Sequence, residues 1–336
     1  MSATPFTAEE LNALPEGKTG RRFLVTRLLP VGLWFLANPW PGHQWPTQLF
    51  WTLVTAYSLF CWLSCFHETA HHTLYRSLKA NIIIGRILGM VMFTPYTVYR
   101  ESHIRHHAYL NKPHDWELWP YCDPAASRPF RIVFAWCDLL LGFMTAPYVY
   151  GRIYFSAKSP IVSPELRIAI RNEYLLSAAF WGIIVGLVAW FNVWHGFLTI
   201  WVLPHWVAGV LQTGRKFTEH LGMKSFDPLL GTRTVIGETA WTRFCTKANF
   251  DIFIHGPHHR HPRMPHAELA SKMHDYIQKS PETHYPVYAT YTRAATAMLP
   301  ALLTNPGVGI NAGGVLPAEA IEPVVDNFAS DVCKVA

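Results

Sequence analysis

The sequence predicts an all-α integral membrane fold of two transmembrane hairpins, four helices in all, with shorter interfacial helices between them. Three observations lead there. Only 15% of the 336 residues are charged and 50% are hydrophobic, against about 25% charge in an ordinary soluble domain. Residues 28–66 and residues 174–214 contain no Asp, Glu, Lys or Arg. Each stretch is too long for one span of about 20 residues and has a turn-like middle, so each reads as a hairpin.

The outgoing limb of the first hairpin is placed at residues 21–37, with Arg27 reaching toward the interface. Its turn is "NPWPGHQWP", where Pro39, Pro41, Gly42 and Pro46 end any helix. The returning limb covers residues 47–66. Residues 82–98 follow as an apolar run of only 17 residues that contains Arg86, which fits a helix lying in the interface. Residues 131–150 are spoiled as a span by Asp138 and Pro147 and read the same way. The second hairpin pairs residues 174–191 with 197–213 around "NVWHG". Trp34, Trp40, Trp45, Trp190 and Trp194 lie near the two turns, as an aromatic belt requires.

Neither turn has a Lys or Arg, whereas Lys18, Arg21, Arg22 and Arg27 precede the first hairpin and Arg215 and Lys216 follow the second. The positive-inside rule then puts both termini in the cytoplasm and accounts for the net charge of +6 with no nucleic acid partner. The polar start "MSATPFTAEELNALPEGK" has no apolar core of a cleavable signal. The six cysteines form no C-x-x-C pair and are expected as buried free thiols. Residues 1–299 are expected as one membrane-embedded unit, followed by a weakly ordered tail over 300–336.

Ten of the 18 histidines fall in four tight groups. They are His67, His71 and His72 in "HETAHH", His103, His106 and His107 in "HIRHH", His220 in "TEHLGM", and His255, His258 and His259 in "HGPHH". On a helix an H-x-x-H-H pattern puts three imidazoles on one face. The returning limb delivers the first group to the cytoplasmic side. With residues 82–98 and 131–150 in the interface and the second hairpin returning the chain, all four groups share that side.

"HETAH" also matches the zinc-protease arrangement, with Glu68 as general base. A catalytic zinc, however, takes three protein ligands and keeps one position open. Eight to ten clustered imidazoles suit two metals, and imidazole accepts Zn, Cu, Fe or Ni. A metal transporter would place histidines within its spans, where only His205 lies.

"HETAHH", "HIRHH" and "HGPHH" resemble the three histidine boxes of the integral-membrane fatty acid desaturase and hydroxylase superfamily. The resemblance extends through "YRESHIRHHAYLNKPHDWELWP" and "NFDIFIHGPHHRHPRMP" and covers about residues 45–270. "RKFTEHLGM" is similar to the segment that contributes one more histidine before the third box. The resemblance implies four transmembrane helices under a cytosolic histidine-rich cap that holds a non-haem di-iron site. It implies His67, His71, His103, His106, His107, His220, His255, His258 and His259 as ligands. His72 stays ambiguous, because the first box occurs as H-x(3)-H or H-x(4)-H.

The implied activity is O2-dependent removal of hydrogen from the acyl chain of a fatty acid or acyl lipid. Desaturation, hydroxylation, or decarboxylation to a terminal alkene would share the metal site. No haem-binding, iron–sulfur or dinucleotide motif accompanies the boxes, so electrons are expected from a separate ferredoxin- or cytochrome-type donor with its reductase. Pro257 departs from a simple helical third box and is accommodated if His255 opens the helix. Glu68 is expected to orient a ligand imidazole, and Glu219 either to do the same for His220 or to be solvated. Asp115 and Glu117 are expected in a loop or cap role. Arg100, Arg105, Lys112, Arg215, Arg260 and Arg263 are candidates for an anionic headgroup or an acidic electron donor, or simply reflect the positive-inside bias.

Overall fold

The computed structural model describes residues 25–38, 45–316 and 328–334, and nearly every element in it is helical. The cations Lys18, Arg21 and Arg22, the polar start and Trp40 lie outside the described residues, as does most of the first turn. Helix α1 (Leu28–Ala37) packs on α2 (Trp45–His71), which also touches α3 (Leu78–Val91) and α4 (Tyr96–Ala108). Arg27 is exposed and immediately precedes α1, and residues 21–24 of the expected limb lie outside the described residues.

Among the described residues two helices are long and apolar enough to cross a membrane, α2 and α7 (Pro164–Trp190), each of 27 residues with mean hydropathy 1.6 over its most apolar window. At 1.5 Å per residue each reaches about 40 Å, more than a hydrocarbon core of about 30 Å. In α2, 56% of that window is buried, against 17% in α7, so α2 is the central post and α7 an outer one. Helix α7 starts on Ser163, whose side chain accepts from the Leu166 N–H, with Pro164 in the first turn.

The run expected as one interfacial helix over 82–98 is two helices. Helices α3 and α4 meet at 105°, because Phe93 takes a left-handed φ of +56° and Pro95 caps α4. Counted as one bent span, the pair raises the candidate spans from two to three. Arg86 in this run donates to Glu173 of α7 at 3.0 Å, which compensates its charge.

Residues 131–150 likewise divide, into α5 (Arg128–Leu140) and α6 (Gly142–Phe155). Asp138 is buried but satisfied by Lys216 Nζ at 2.6 Å, Thr145 Oγ1 at 2.6 Å and Tyr121 OH at 3.0 Å. The expected limb 197–213 is not one regular helix. After α8 (Trp194–Phe197) the chain runs through a π turn, Leu198–Val202, into α9 (Leu203–His220). Pro204 has no N–H to return to the preceding turn, which favours the wider π closure.

Helix α10 (Ala240–Ala248), α11 (His255–Arg260) and α12 (Leu269–Lys279) follow, with a two-residue parallel pairing of β1 (Thr234–Val235) and β2 (Val287–Tyr288). The boundary expected at residue 300 falls inside α13 (Tyr291–Thr304), and the described part of the expected tail is packed. Leu302, Val308, Phe328, Ala329 and Val332 are buried. Arg128 and Arg131 donate to the Thr304 and Pro306 carbonyls at 2.7 and 2.8 Å. The small residues of this stretch permit close approach: a Cβ on Gly309, at φ +54°, would lie 2.1 Å from the Asn111 carbonyl oxygen. All six cysteines are free, yet only Cys61, Cys65 and Cys122 are buried, Cys137 and Cys333 being exposed.

Candidate metal centre

Four helix ends converge on one point. His67 and His71 occupy the last turn of α2, His103, His106 and His107 the last turns of α4, and His220 ends α9. Helix α11 opens on His255, with Pro257 in its first turn and His258 and His259 following. Phe250 and Asp251 precede it in left-handed conformations, φ +57° and +53°. That turn directs the His255 Nδ1 onto the Ile252 carbonyl at 3.0 Å.

The nine imidazoles divide into two groups, His67, His71, His103, His107 and His258 in one and His106, His220, His255 and His259 in the other. Within each group one nitrogen per ring lies within 4.8 Å of all the others. The Nε2 atoms approach one another closely: His71 and His103 at 3.0 Å, His67 and His258 at 3.1 Å, His220 and His255 at 2.8 Å.

The far nitrogens explain this convergence. His67 Nδ1 bonds Glu68 Oε1 at 3.0 Å, His103 Nδ1 bonds Glu117 Oε2 at 3.0 Å, and His106 Nδ1 bonds Asp115 Oδ2 at 2.8 Å. An acceptor on Nδ1 fixes the proton there and turns the Nε2 lone pair inward. With His255 on its carbonyl, four rings present lone pairs to a shared centre. Lone pairs cannot hydrogen-bond one another, whereas a cation of imidazole preference satisfies all of them.

Electrostatics agree. Burial holds His255, His258 and His259 well below the usual histidine range, so they are neutral near pH 7, as ligands must be. Burial would lower His106 too, but the Asp115 carboxylate outweighs it and raises the ring. Burial alone would raise Glu117, yet His103 beside it brings the carboxyl down to about 2.

His72 belongs to neither group. It adopts φ +61° just past the end of α2, which turns the ring away, and its Nε2 bonds Asp331 Oδ2 at 2.7 Å. Asp115 and Glu117 do more than a loop or cap role requires, since each fixes an imidazole of the second box. Their signal in the sequence was an acidic pair a few residues beyond "HIRHH". Asp331 had no such signal. Glu219 approaches His255 Nε2 at 3.6 Å, not His220. Of the candidate surface cations, Arg100 and Arg105 are buried and used internally, Arg100 on Asp331 and Arg105 on Glu101. Arg260 remains 44% exposed at its side chain.

A cavity of about 1140 Å3, mouth included, opens onto the centre between α2, α6 and α9. Phe66, Met92, Phe143 and Val149 give it apolar walls, and His67, His103, His106, His220 and His255 line its histidine end.

A family model described as fatty acid desaturase matches residues 43–292. The chain is 24% identical over 277 residues to a chloroplastic omega-6 fatty acid desaturase of Brassica napus, covering 79% of this chain and 59% of that protein. The corresponding enzyme of Arabidopsis thaliana is 25% identical over 278 residues, covering 79% and 58%. An sn-1 acyl-lipid omega-3 desaturase (ferredoxin) of Synechocystis is 26% identical over 300 residues, covering 79% of each chain. The matched part thus spans about three fifths of the length of the two plant relatives.

Proposed function

This chain belongs to the fatty acid desaturase family, and from that premise we propose that it is an O2-dependent, non-haem di-iron oxidoreductase that desaturates an acyl chain. The observation that carries the reading is the nine-imidazole centre with four rings fixed in the ligating tautomer. His67, His71, His103, His107 and His258 would hold one ion, and His106, His220, His255 and His259 the other. Iron bound there supplies O2 activation and removal of hydrogen from an unactivated C–H bond. Glu68, Asp115, Glu117 and the Ile252 carbonyl keep the ligands oriented. The apolar walls of the cavity hold the chain straight against the centre and exclude water.

Hydroxylation and oxidative decarboxylation to a terminal alkene would use the same residues, and the outcome is decided by which carbon faces the centre. A zinc protease is disfavoured by Glu68, whose Oε1 accepts from His67 and whose Oε2 accepts from Thr73 Oγ1 at 2.6 Å. That carboxylate is committed to orienting groups and is not poised over a water. The two long apolar helices support an integral membrane protein. We place four spans in it, with α1 and the α8–α9 limb completing the two hairpins and both termini and the centre on the cytoplasmic side. Electrons would come from a separate donor, for which the name of the Synechocystis relative favours a ferredoxin.

Elemental analysis of the detergent-purified protein, together with lipid profiling of membranes supplied with a saturated fatty acid, tests the reading. About two irons per chain and a new unsaturated product are expected. About one zinc and no altered lipid would return "HETAH" to the proteases.

A further inference from the structure

The cavity wall carries a buried cation with idle donors. Arg215, on α9 and five residues before His220, is only 7% exposed and lines the cavity. Among the described residues its Nε and Nη1 have no hydrogen-bond partner. Glu219 Oε1, itself without a hydrogen-bond partner among the described residues, approaches Nε to 3.9 Å, which pairs the charges but is beyond hydrogen-bond range. The Phe253 ring sits 6.0 Å from the guanidinium. Gln212 Oε1 and His205 Nδ1, on the same wall, also lack partners. A buried guanidinium with unmade bonds is costly unless an anion completes it.

An apolar cavity with a buried cationic donor at its histidine end is the complement of an amphiphile with an anionic, hydrogen-bond-accepting head. We propose that Arg215 binds the carboxylate of a free fatty acid and seats the carboxyl end of the chain beside the metal centre. This rests on the acyl-chain reading above and adds the form of the substrate. An ester or thioester carbonyl would offer a neutral acceptor and add no negative charge to that of Glu219, 3.9 Å away.

The position has a consequence for the reaction. Five residues of helix are about 7.5 Å of rise, and Glu219 between them reaches 3.6 Å from His255 Nε2. A carboxylate on Arg215 therefore brings the first few carbons of the chain to the histidines, and the middle of the chain lies farther out along the apolar walls.

The test is equilibrium binding of palmitate and methyl palmitate to the metal-loaded protein in detergent, which share a chain and differ in the charge of the head. The wild type should bind palmitate about 10- to 100-fold more tightly, the worth of a charged hydrogen-bonded pair. Arg215→Gln should abolish that preference while metal content and methyl palmitate affinity hold, and Arg215→Lys should retain part of it. A wild type that does not distinguish the probes overturns the proposal whatever the variants do, and so does a full preference in Arg215→Gln. Products of palmitate turnover should be altered within the first few carbons; alteration at mid-chain overturns the seating. Binding is read without turnover. An inactive protein that still prefers palmitate would sink the oxidase reading and leave the Arg215 assignment standing, and an active one without the preference would do the reverse.

Discussion

His72 Nε2 lies 2.7 Å from Asp331 Oδ2, although 259 residues separate them in the chain. Asp331 also accepts from Arg100, which in turn donates to the Ala70 carbonyl. Next to it, Glu101 Oε2 accepts the N–H groups of Phe328 and Ala329, both at 2.7 Å. The segment 328–334 thus fastens the end of α2 to α4, the two helices that carry the first and second boxes.

Replacing Asp331 by Asn should therefore loosen the protein. It leaves the Arg100 guanidinium, 1% exposed at its side chain, without its counter-charge, and breaking a buried pair costs about 3 kcal/mol. A lowered thermal midpoint in detergent is expected, with a similar fall when the chain is ended before Phe328. An unchanged midpoint in both would remove the latch from this account.

Asp115 holds His106 but touches no metal position, so Asp115→Asn and His106→Ala should separate. An Asn oxygen can still accept from His106 Nδ1 but carries no charge, so metal binding should weaken by about tenfold, the low end for a changed partner behind a ligand. Asp115→Asn should then lose iron to a chelator sooner than the wild type while keeping measurable turnover. His106→Ala should lose turnover outright and carry less iron as purified. Equal behaviour of the two in a chelator time course would contradict the assignment.

How much of this was legible beforehand follows from the range of the interactions. Box spacing is local, so the grouping of imidazoles on one helix face was readable from it, as was the helix start forced by Pro257, whereas the extension of α2 through His71 and the helix ends at the second box and His220 were not. The 105° bend between α3 and α4 was not. It depends on Phe93 entering a left-handed conformation, which the apolar pattern hides. Asp115 was visible as an acid near a box but not as a partner of His106. The latch was out of reach, because the role of His72 is decided by Asp331 and a stretch of small residues gives no sign of what it packs against.

Glu68→Gln distinguishes the two chemistries offered by "HETAH". A protease loses its general base and with it nearly all activity. Here a Gln oxygen can still accept from His67 Nδ1, and Thr73 can reverse its hydroxyl bond. Product formation should fall by about tenfold or less with iron largely retained, as read by parallel iron analysis and product yield. Complete loss of turnover in a fully iron-loaded variant would be the contrary result.

Gly142 and Gly209 bring α6 against α9 and so shape the cavity beside the centre. A Cβ on Gly209 would lie 2.8 Å from the Phe143 backbone nitrogen, and one on Gly142 would lie 2.8 Å from the Gly209 carbonyl oxygen. At Gly209 the nearest obstacle is backbone, and at Gly142 the Thr213 side chain stands in the way as well as backbone, so the helices themselves would have to part. Overpacking of this kind costs about 1–3 kcal/mol. Gly209→Ala should lower both the thermal midpoint and the turnover of acyl substrate, since the displaced wall no longer aligns the chain with the histidines. Gly182→Ala on α7 is the matched control, because its Cβ would meet nothing within 4 Å and Ala favours a helix by about 1 kcal/mol over Gly. It should leave turnover alone and hold or raise the midpoint. If the two substitutions behave alike, the close crossing of α6 and α9 does not set the cavity, and its shape must come from the side chains lining it.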